Sequence, residues 1–139
     1  MLKLTDLTVG YGDIRAVHGL GLHVAPGTVC ALIGPNGAGK SSTLMAVAGH
    51  TRVIEGSITF RGRDITRVPA HKRASLGIAI SPEGRRLFPD LTVAENLTVG
   101  GYSRPGAAAD ETRETVLDLF PILQDRLAQR AGTLSGGQQ

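Results

Sequence analysis

The chain has 139 residues, of which 41% are hydrophobic, and this argues against wholesale disorder. Its 15 Lys and Arg against 12 Asp and Glu leave a net charge of only +3, spread along the chain, which disfavours a nucleic-acid partner. No apolar run reaches the roughly 18 residues of a membrane span, Asp6 interrupts any signal peptide, and the single Cys30 excludes an internal disulfide. The composition therefore predicts a cytoplasmic protein.

The first predicted elements are strands. Residues 2–9 are rich in β-forming side chains, and residues 16–24 alternate apolar with small or polar ones, with a Tyr-Gly-Asp turn signal between them. We expect these two strands to pair. The unbroken apolar run 28–33 is typical of a strand buried on both faces, as in a parallel sheet, and it would place Cys30 in the core.

The later elements are shorter. Strands are predicted at 57–60 and 78–80. Helices are predicted at 42–50, after Pro69, at 91–99 with Thr92 as the N-cap, and at 110–119, where acidic residues come first.

Between the apolar run and the first helix lies the sequence GPNGAGKS, residues 34–41, which matches the P-loop pattern. The glycines let consecutive N–H groups point at phosphate oxygens, and the helix N-terminus adds unpaired donors. Lys40 would supply a full positive charge, and the Ser41 hydroxyl would bind Mg²⁺. The expected phosphate-binding residues are Asn36, Gly37, Ala38, Gly39, Lys40, Ser41 and Ser42. A dinucleotide-binding fold is disfavoured because the G-x-G-x-x-G spacing is absent.

A second motif of small residues, LSGGQ, occupies residues 134–138. Ser135 can cap a helix, and Gly136 and Gly137 expose backbone N–H groups beside it. The motif therefore reads either as a second anion cradle at a helix start or as a flexible Gly-Gly loop.

A P-loop followed at residue 134 by LSGGQ resembles the nucleotide-binding domain of ABC-type ATPases, along essentially the whole chain. The resemblance implies an α/β P-loop fold. An antiparallel β subdomain with the P-loop core would span 1–83, and the start of a helical subdomain would span 84–139, as the first part of a longer domain. In this family ATP lies between the P-loop of one domain and the signature motif of a partner domain.

The resemblance also assigns individual residues. Tyr11 would stack on adenine, with a turn tyrosine packed on the first strand as the alternative, and Val17 would flank the base. The signature residues would close on the ATP of a second ATP-binding subunit: Ser135, Gly136, Gly137 and Gln138.

Residues 82–97, PEGRRLFPDLTVAENL, resemble one subgroup, the ATP-binding subunits of branched-chain amino-acid importers. Where most of the family has glutamine, this chain and the subgroup have Glu83, which would contact Mg²⁺ and the attacking water; carboxylates are good ligands for hard cations. Lys40 and Glu83 are thus the expected catalytic residues. Arg85, Arg86 and Phe88 form either a solvated loop or a docking surface for an integral membrane permease, which would hold the protein at the inner face of the membrane.

Hydrolysis in this family also requires an Asp, a Glu and a His that follow the signature. The 139 residues contain no substitute for them, because the nearest candidates, the Asp-containing apolar runs at 116–120 and 121–125, precede the signature and read as helix. We expect no phosphate release above that of a Lys40→Ala control. We also expect much apolar surface to be uncovered on the core sheet, since it would lack the strands that flank the P-loop strand. A truncated, inactive nucleotide-binding fragment and a soluble ABC ATPase without a transport role remain the alternatives.

Overall fold

The computed structural model describes residues 1–84, 86–103 and 106–139. They form two compact units, residues 1–80 and residues 81–139. The predicted subdomain boundary at 83/84 stays a prediction.

The first unit is built on one four-stranded antiparallel sheet with the order β2-β1-β3-β4. β1 pairs with β2 from Leu2 opposite Val24 to Tyr11 opposite Ile14, which confirms the predicted pairing. The strands are β1 Leu2–Tyr11, β2 Ile14–Val24, β3 Val53–Phe60 and β4 Arg63–Asp64.

The core of this unit lies where the sheet meets helix α1, Lys40–Ala48, which packs against β1 and β2. Burying each large apolar side chain contributes about 1.5–3 kcal/mol, so this cluster holds the helix on the sheet. Its buried residues are Leu4, Leu7, Val9, Val17, Ala46, Ile58, Phe60 and Ile65.

A buried arginine fastens the far end of α1. Helix α2, Ala70–Ser75, carries Arg73, which is only 2% exposed and donates to four carbonyl oxygens, those of Ala46, Val47, Thr66 and Val68, at 2.6–2.9 Å. Two of these carbonyls, those of Ala46 and Val47, belong to the last turn of α1; the Ala46 carbonyl also accepts from the Gly49 N–H at 3.1 Å. Burial lowers the pKa of the Arg73 guanidinium, and the negative charge of Asp64 acts in the opposite direction. Sequence reasoning missed this contact.

Two predicted strands are wrong. Residues 28–33 and 78–80 form no strand, and no described strand pairs with them. Val29 is 100% and Ile33 is 90% exposed, and Cys30 is exposed rather than in the core. An apolar run becomes a strand only where a neighbour accepts and donates its backbone hydrogen bonds. The core sheet on which we expected uncovered apolar surface is not formed by the described residues, and the exposed apolar side chains lie on this unpaired segment instead.

The second unit is helical. Helix α3, Val93–Gly100, begins with a capping box in which Thr92 and Glu95 bond each other's backbone N–H, so Thr92 is the N-cap as predicted. The predicted helix at 110–119 is confirmed as α4, Ala107–Leu119, and 3-10 turns follow at Pro121–Arg126 and Ala131–Thr133. None of the helices described is both long and apolar enough to cross a bilayer.

Candidate functional site

The P-loop lies directly on β2. Gly37 and Gly39 both have φ of 84°, a backbone conformation that favours glycine. A Cβ at Gly39 would also lie 2.6 Å from the carbonyl oxygen of Ala16 and 2.7 Å from Cγ2 of Val17. Gly39 is therefore required twice, by its φ and by the close approach of the loop to the strand.

Free donors cluster where the loop becomes helix. The first N–H of α1 with a backbone acceptor is that of Thr43, which bonds the Gly39 carbonyl at 2.8 Å. The N–H groups of Lys40, Ser41 and Ser42 have no acceptor within 1–84, 86–103 and 106–139. No acidic residue occupies the first turn. These orphan donors and the positive end of the helix dipole suit an anion.

The ammonium of Lys40 is held at the loop. Its Nζ donates to the carbonyl oxygens of Gly34 at 2.8 Å and Pro35 at 2.7 Å. The loop therefore keeps a full positive charge beside the free N–H groups. Asn36 and Gly37 form the exposed tip, and Ala38 N–H bonds the Pro35 carbonyl at 3.2 Å.

Tyr11, at the end of β1, is brought to this same helix. Its hydroxyl donates to Oγ of Ser42 at 3.4 Å and accepts from Oγ1 of Thr51 at 3.3 Å. The hydrogen bonds with Ser42 and Thr51 lower the pKa of Tyr11. Tyr11 is 52% exposed. Thr51 was not foreseen, because only the fold brings residue 51 to residue 11.

Val17 is buried beneath Gly39 and lines an open cleft of about 720 Å³ together with Ala38, Lys40 and Thr43. Its position supports the loop. The predicted contact with a base stays a prediction.

The metal-ligand prediction rests on Ser41 and Glu83. Ser41 is exposed in the first turn of α1, and Glu83 is exposed in a turn of the second unit. Among the described residues no three His, Cys, Asp or Glu side chains could hold a metal ion together. The predicted roles of Ser41 and Glu83 as Mg²⁺ ligands stay predictions.

Around Phe88 the second unit presents an anchored loop. Asn96 accepts from the Phe88 N–H at 2.9 Å and donates to the carbonyls of Phe88 at 3.0 Å and Thr92 at 2.9 Å. The Phe88 ring stays exposed beside an apolar cavity of about 330 Å³, and Arg86 has φ of 37°. Arg85, the third residue of the predicted docking loop, lies outside the described residues.

The LSGGQ motif forms a turn. The turn has helix-like bonds: Gln138 and Gln139 N–H both donate to the Ser135 carbonyl, at 2.9 and 3.1 Å. The Gln138 side chain accepts from the Ser135 N–H at 3.1 Å, which is half of a capping box. The predicted helix start at Ser135 stays a prediction. Gly137 has open space where a Cβ would be.

The described residues thus place Tyr11, Val17 and the P-loop together in the first unit. Glu83 and the signature turn belong to the second unit. The roles predicted for all these residues stay predictions.

Comparison with known proteins supports this arrangement. The family model described as "ABC transporter" matches residues 17–139. Over the full chain, the sequence is 42% identical to the high-affinity branched-chain amino acid transport ATP-binding protein BraG of Pseudomonas aeruginosa and 34% identical to the probable branched-chain amino acid transport ATP-binding protein LivF of Archaeoglobus fulgidus. It is also 39% identical, over 99% of the chain, to the spermidine/putrescine import ATP-binding protein PotA of Acidothermus cellulolyticus, of which it covers 37%.

Solved structures agree. An ATP-binding subunit of an ABC transporter matches 99% of the chain with a TM-score of 0.82 and 29% identity, and the ADP conformation of an ATP-binding cassette matches 99% with a TM-score of 0.74 and 28% identity. The chain covers 57% and 60% of those two structures, and 60% and 59% of the two branched-chain relatives. It has the fold of an ABC ATPase cassette over about three fifths of the length of these proteins, and it belongs to the ABC transporter family.

Proposed function

We propose that this chain is the nucleotide-binding part of the ATP-binding subunit of an ABC importer. The observation that carries the proposal is one surface of the first unit. There the free N–H groups of residues 40–42 lie beside the Lys40 ammonium, and Tyr11 reaches the same helix turn through Ser42. A base-stacking ring and a phosphate cradle on one surface suit a nucleotide.

Each part of this surface has a chemical task. The N–H groups and Lys40 neutralise the phosphates, and the Tyr11 ring stacks on adenine, which contributes about 1–3 kcal/mol for a base on an aromatic ring. Ser41 is the proposed Mg²⁺ ligand on this surface, and Glu83, in the second unit, is the other residue for which the family resemblance implies that role. When bound, Mg²⁺ supplies positive charge against the β- and γ-phosphate oxygens.

The second unit supplies the partner contacts in this proposal. The exposed turn Ser135–Gln138 would close on ATP held by a second ATP-binding subunit, in a homo- or heterodimer. Glu83 would also orient the attacking water. Phe88 and the apolar cavity beside it would receive a membrane permease, so the protein would lie at the cytoplasmic face of the membrane. No nucleic acid has a part in this proposal.

We propose branched-chain amino acids as the transported solute. The support is the subgroup pattern at 82–97 and the names of two relatives matched over the full chain. The match to a polyamine importer supports membership of the family, but it does not support branched-chain amino acids as the solute. Uptake of labelled leucine by cells that depend on the longer protein tests this, with labelled spermidine as the comparison. Spermidine uptake without leucine uptake would contradict the proposed solute.

Nucleotide binding is tested with the 139-residue chain itself. We expect Lys40→Ala to weaken MgADP binding at least about tenfold, because hydrogen bonds to charged groups contribute about 1.5–3 kcal/mol and 1.4 kcal/mol is tenfold. Isothermal titration calorimetry measures the affinity. Lys72→Ala, on the exposed surface of α2, is the matched control and should bind like the wild type. Equal affinities for the Lys40→Ala variant and the wild type would refute the proposed site.

Hydrolysis belongs to the longer protein in this proposal. We expect phosphate release by the 139-residue chain to equal that of Lys40→Ala, because the family resemblance implies an Asp, a Glu and a His that follow the signature, and these 139 residues contain no substitute for them. A release that depends on Lys40 would contradict this expectation.

A further inference from the structure

The described structure contains a chain of three hydroxyl groups, of which the proposed function uses only the contact between Tyr11 and Ser42. Thr51 Oγ1 lies 3.3 Å from the Tyr11 hydroxyl, which lies 3.4 Å from Ser42 Oγ. The three residues come from the segment after α1, the end of β1 and the first turn of α1. Both bonds of this chain run in one direction, since Thr51 donates to Tyr11 and Tyr11 donates to Ser42.

That direction leaves the Ser42 proton free. A hydroxyl has one proton and two acceptor lone pairs, so Ser42 can accept from Tyr11 and still donate to a third group. Ser42 lies in the turn whose backbone N–H groups have no acceptor in the described chain. A phosphate oxygen bound there would be the natural acceptor for its proton.

Thr51 is held firmly enough to orient the ring. On one side the His50 N–H bonds the Met45 carbonyl at 2.8 Å, and on the other Val53 pairs with Val9 in the sheet. Tyr11 is the last residue of β1, where its backbone pairs with Ile14, and it is 52% exposed. Its side chain is bonded at the hydroxyl, to Ser42 and Thr51.

We infer that Thr51 and the Tyr11 hydroxyl are positioning groups for the phosphate site, forming a relay from Thr51 through Tyr11 to Ser42 that orients the Ser42 proton towards a bound phosphate. The inference rests on the proposed function and deepens it. It gives Tyr11 a second task besides stacking. Chains of hydrogen bonds polarise one another, so the first donor strengthens the last.

The probe that separates the two tasks of Tyr11 is tripolyphosphate, which has phosphates but no base. We measure binding of tripolyphosphate and of MgADP to the 139-residue chain by calorimetry. Tyr11→Phe keeps the ring and removes the hydroxyl, and Thr51→Val keeps the shape of threonine. We expect both variants to bind tripolyphosphate about 3- to 10-fold more weakly, as for loss of one neutral hydrogen bond. Thr51→Ser should restore wild-type affinity.

The controls keep this result apart from folding and from the proposed function. Thr98→Val removes a hydroxyl from α3, where it bonds the Ala94 carbonyl, and should leave tripolyphosphate binding unchanged. In a Ser42→Ala background, Tyr11→Phe should have no further effect. If Lys40→Ala abolishes binding while Tyr11→Phe and Thr51→Val bind tripolyphosphate like the wild type, the relay is refuted and the nucleotide site stands. If the wild type binds neither probe, both proposals fail.

Discussion

The two small-residue motifs of this chain have opposite construction. The P-loop is supported where it meets the helix: Gly39 lies on β2, Lys40 bonds the start of the loop, and α1 is fastened at its far end by Arg73. Its donors are nevertheless left free. In the signature turn 135–138, the Ser135 N–H donates to the side chain of Gln138 from the same turn. A Cβ at Gly137 would meet open space. The P-loop therefore presents free donors to a ligand. The signature turn has already bonded its first N–H internally and presents an open surface to a partner.

Among the tests of this comparison, we expect the largest effect from removing the contact between Arg73 and α1. Arg73→Met removes the donor from four carbonyl oxygens in a buried setting, and each unsatisfied buried acceptor costs about 1–3 kcal/mol. We expect the free energy of unfolding to fall by about 3 kcal/mol or more, measured by denaturant titration. Arg67→Met, at an exposed position, should change it by less than about 0.5 kcal/mol. Equal losses in the two variants would show that the carbonyl contacts do not stabilise α1.

Alanine substitution at the two motifs tests the comparison directly. Gly39→Ala forces a Cβ to within 2.6 Å of the Ala16 carbonyl oxygen and strains φ, and we expect a loss of about 1–3 kcal/mol in stability together with weaker MgADP binding. Gly137→Ala meets nothing and should leave both quantities of the 139-residue chain unchanged. Thermal unfolding and calorimetry measure them. A Gly137→Ala variant that unfolds as readily as Gly39→Ala would remove the distinction between cradle and open surface.

The smallest expected effect concerns pH. Hydrogen bonds from the N–H and hydroxyl of Thr92 hold the pKa of Glu95 below its usual value of 4.5, and bonds from the hydroxyl and N–H of Thr66 do the same for Asp64. The charged form is favoured in the folded state, so each carboxylate stabilises the fold above its unfolded pKa and loses this contribution as pH falls through its folded pKa.

We therefore expect amide hydrogen exchange in α3 to accelerate as the pH falls, measured relative to the intrinsic rate at each pH. The rough window is between pH 5 and pH 3, because the ordinary pKa values of the Glu and Asp carboxyl groups lie there. Glu95→Gln should weaken this pH dependence in α3, and Asp64→Asn should weaken it only around β4. Unchanged pH dependence of α3 exchange in Glu95→Gln would argue that the capping box does not carry the effect.

Local patterns predicted the parts of the fold that depend on neighbours in sequence. Alternating side chains around the Tyr-Gly-Asp turn predicted the pairing of β1 and β2, and Thr92 predicted the start of α3. The P-loop pattern likewise located the free donors, because its glycines and helix start are contiguous.

The failures have a common physical reason, namely contacts that are distant in sequence. The apolar run 28–33 resembles a buried strand, but a strand requires a partner, and the described residues provide none. Arg73 lies in a basic stretch that is typical of a solvated helix face, and only the fold brings it beneath α1. The Thr51 contact with Tyr11 joins residues 40 positions apart.

The uncovered run 28–33 also gives the chain a built-in reporter. Cys30, its single cysteine, is exposed in the middle of this run. The rate at which a thiol reagent modifies Cys30 therefore measures how much of the apolar segment is covered, and this needs no substitution in the chain. An apolar stretch with unpaired backbone groups is also a template for association between copies. Slower labelling at higher protein concentration would then measure self-association through these six residues.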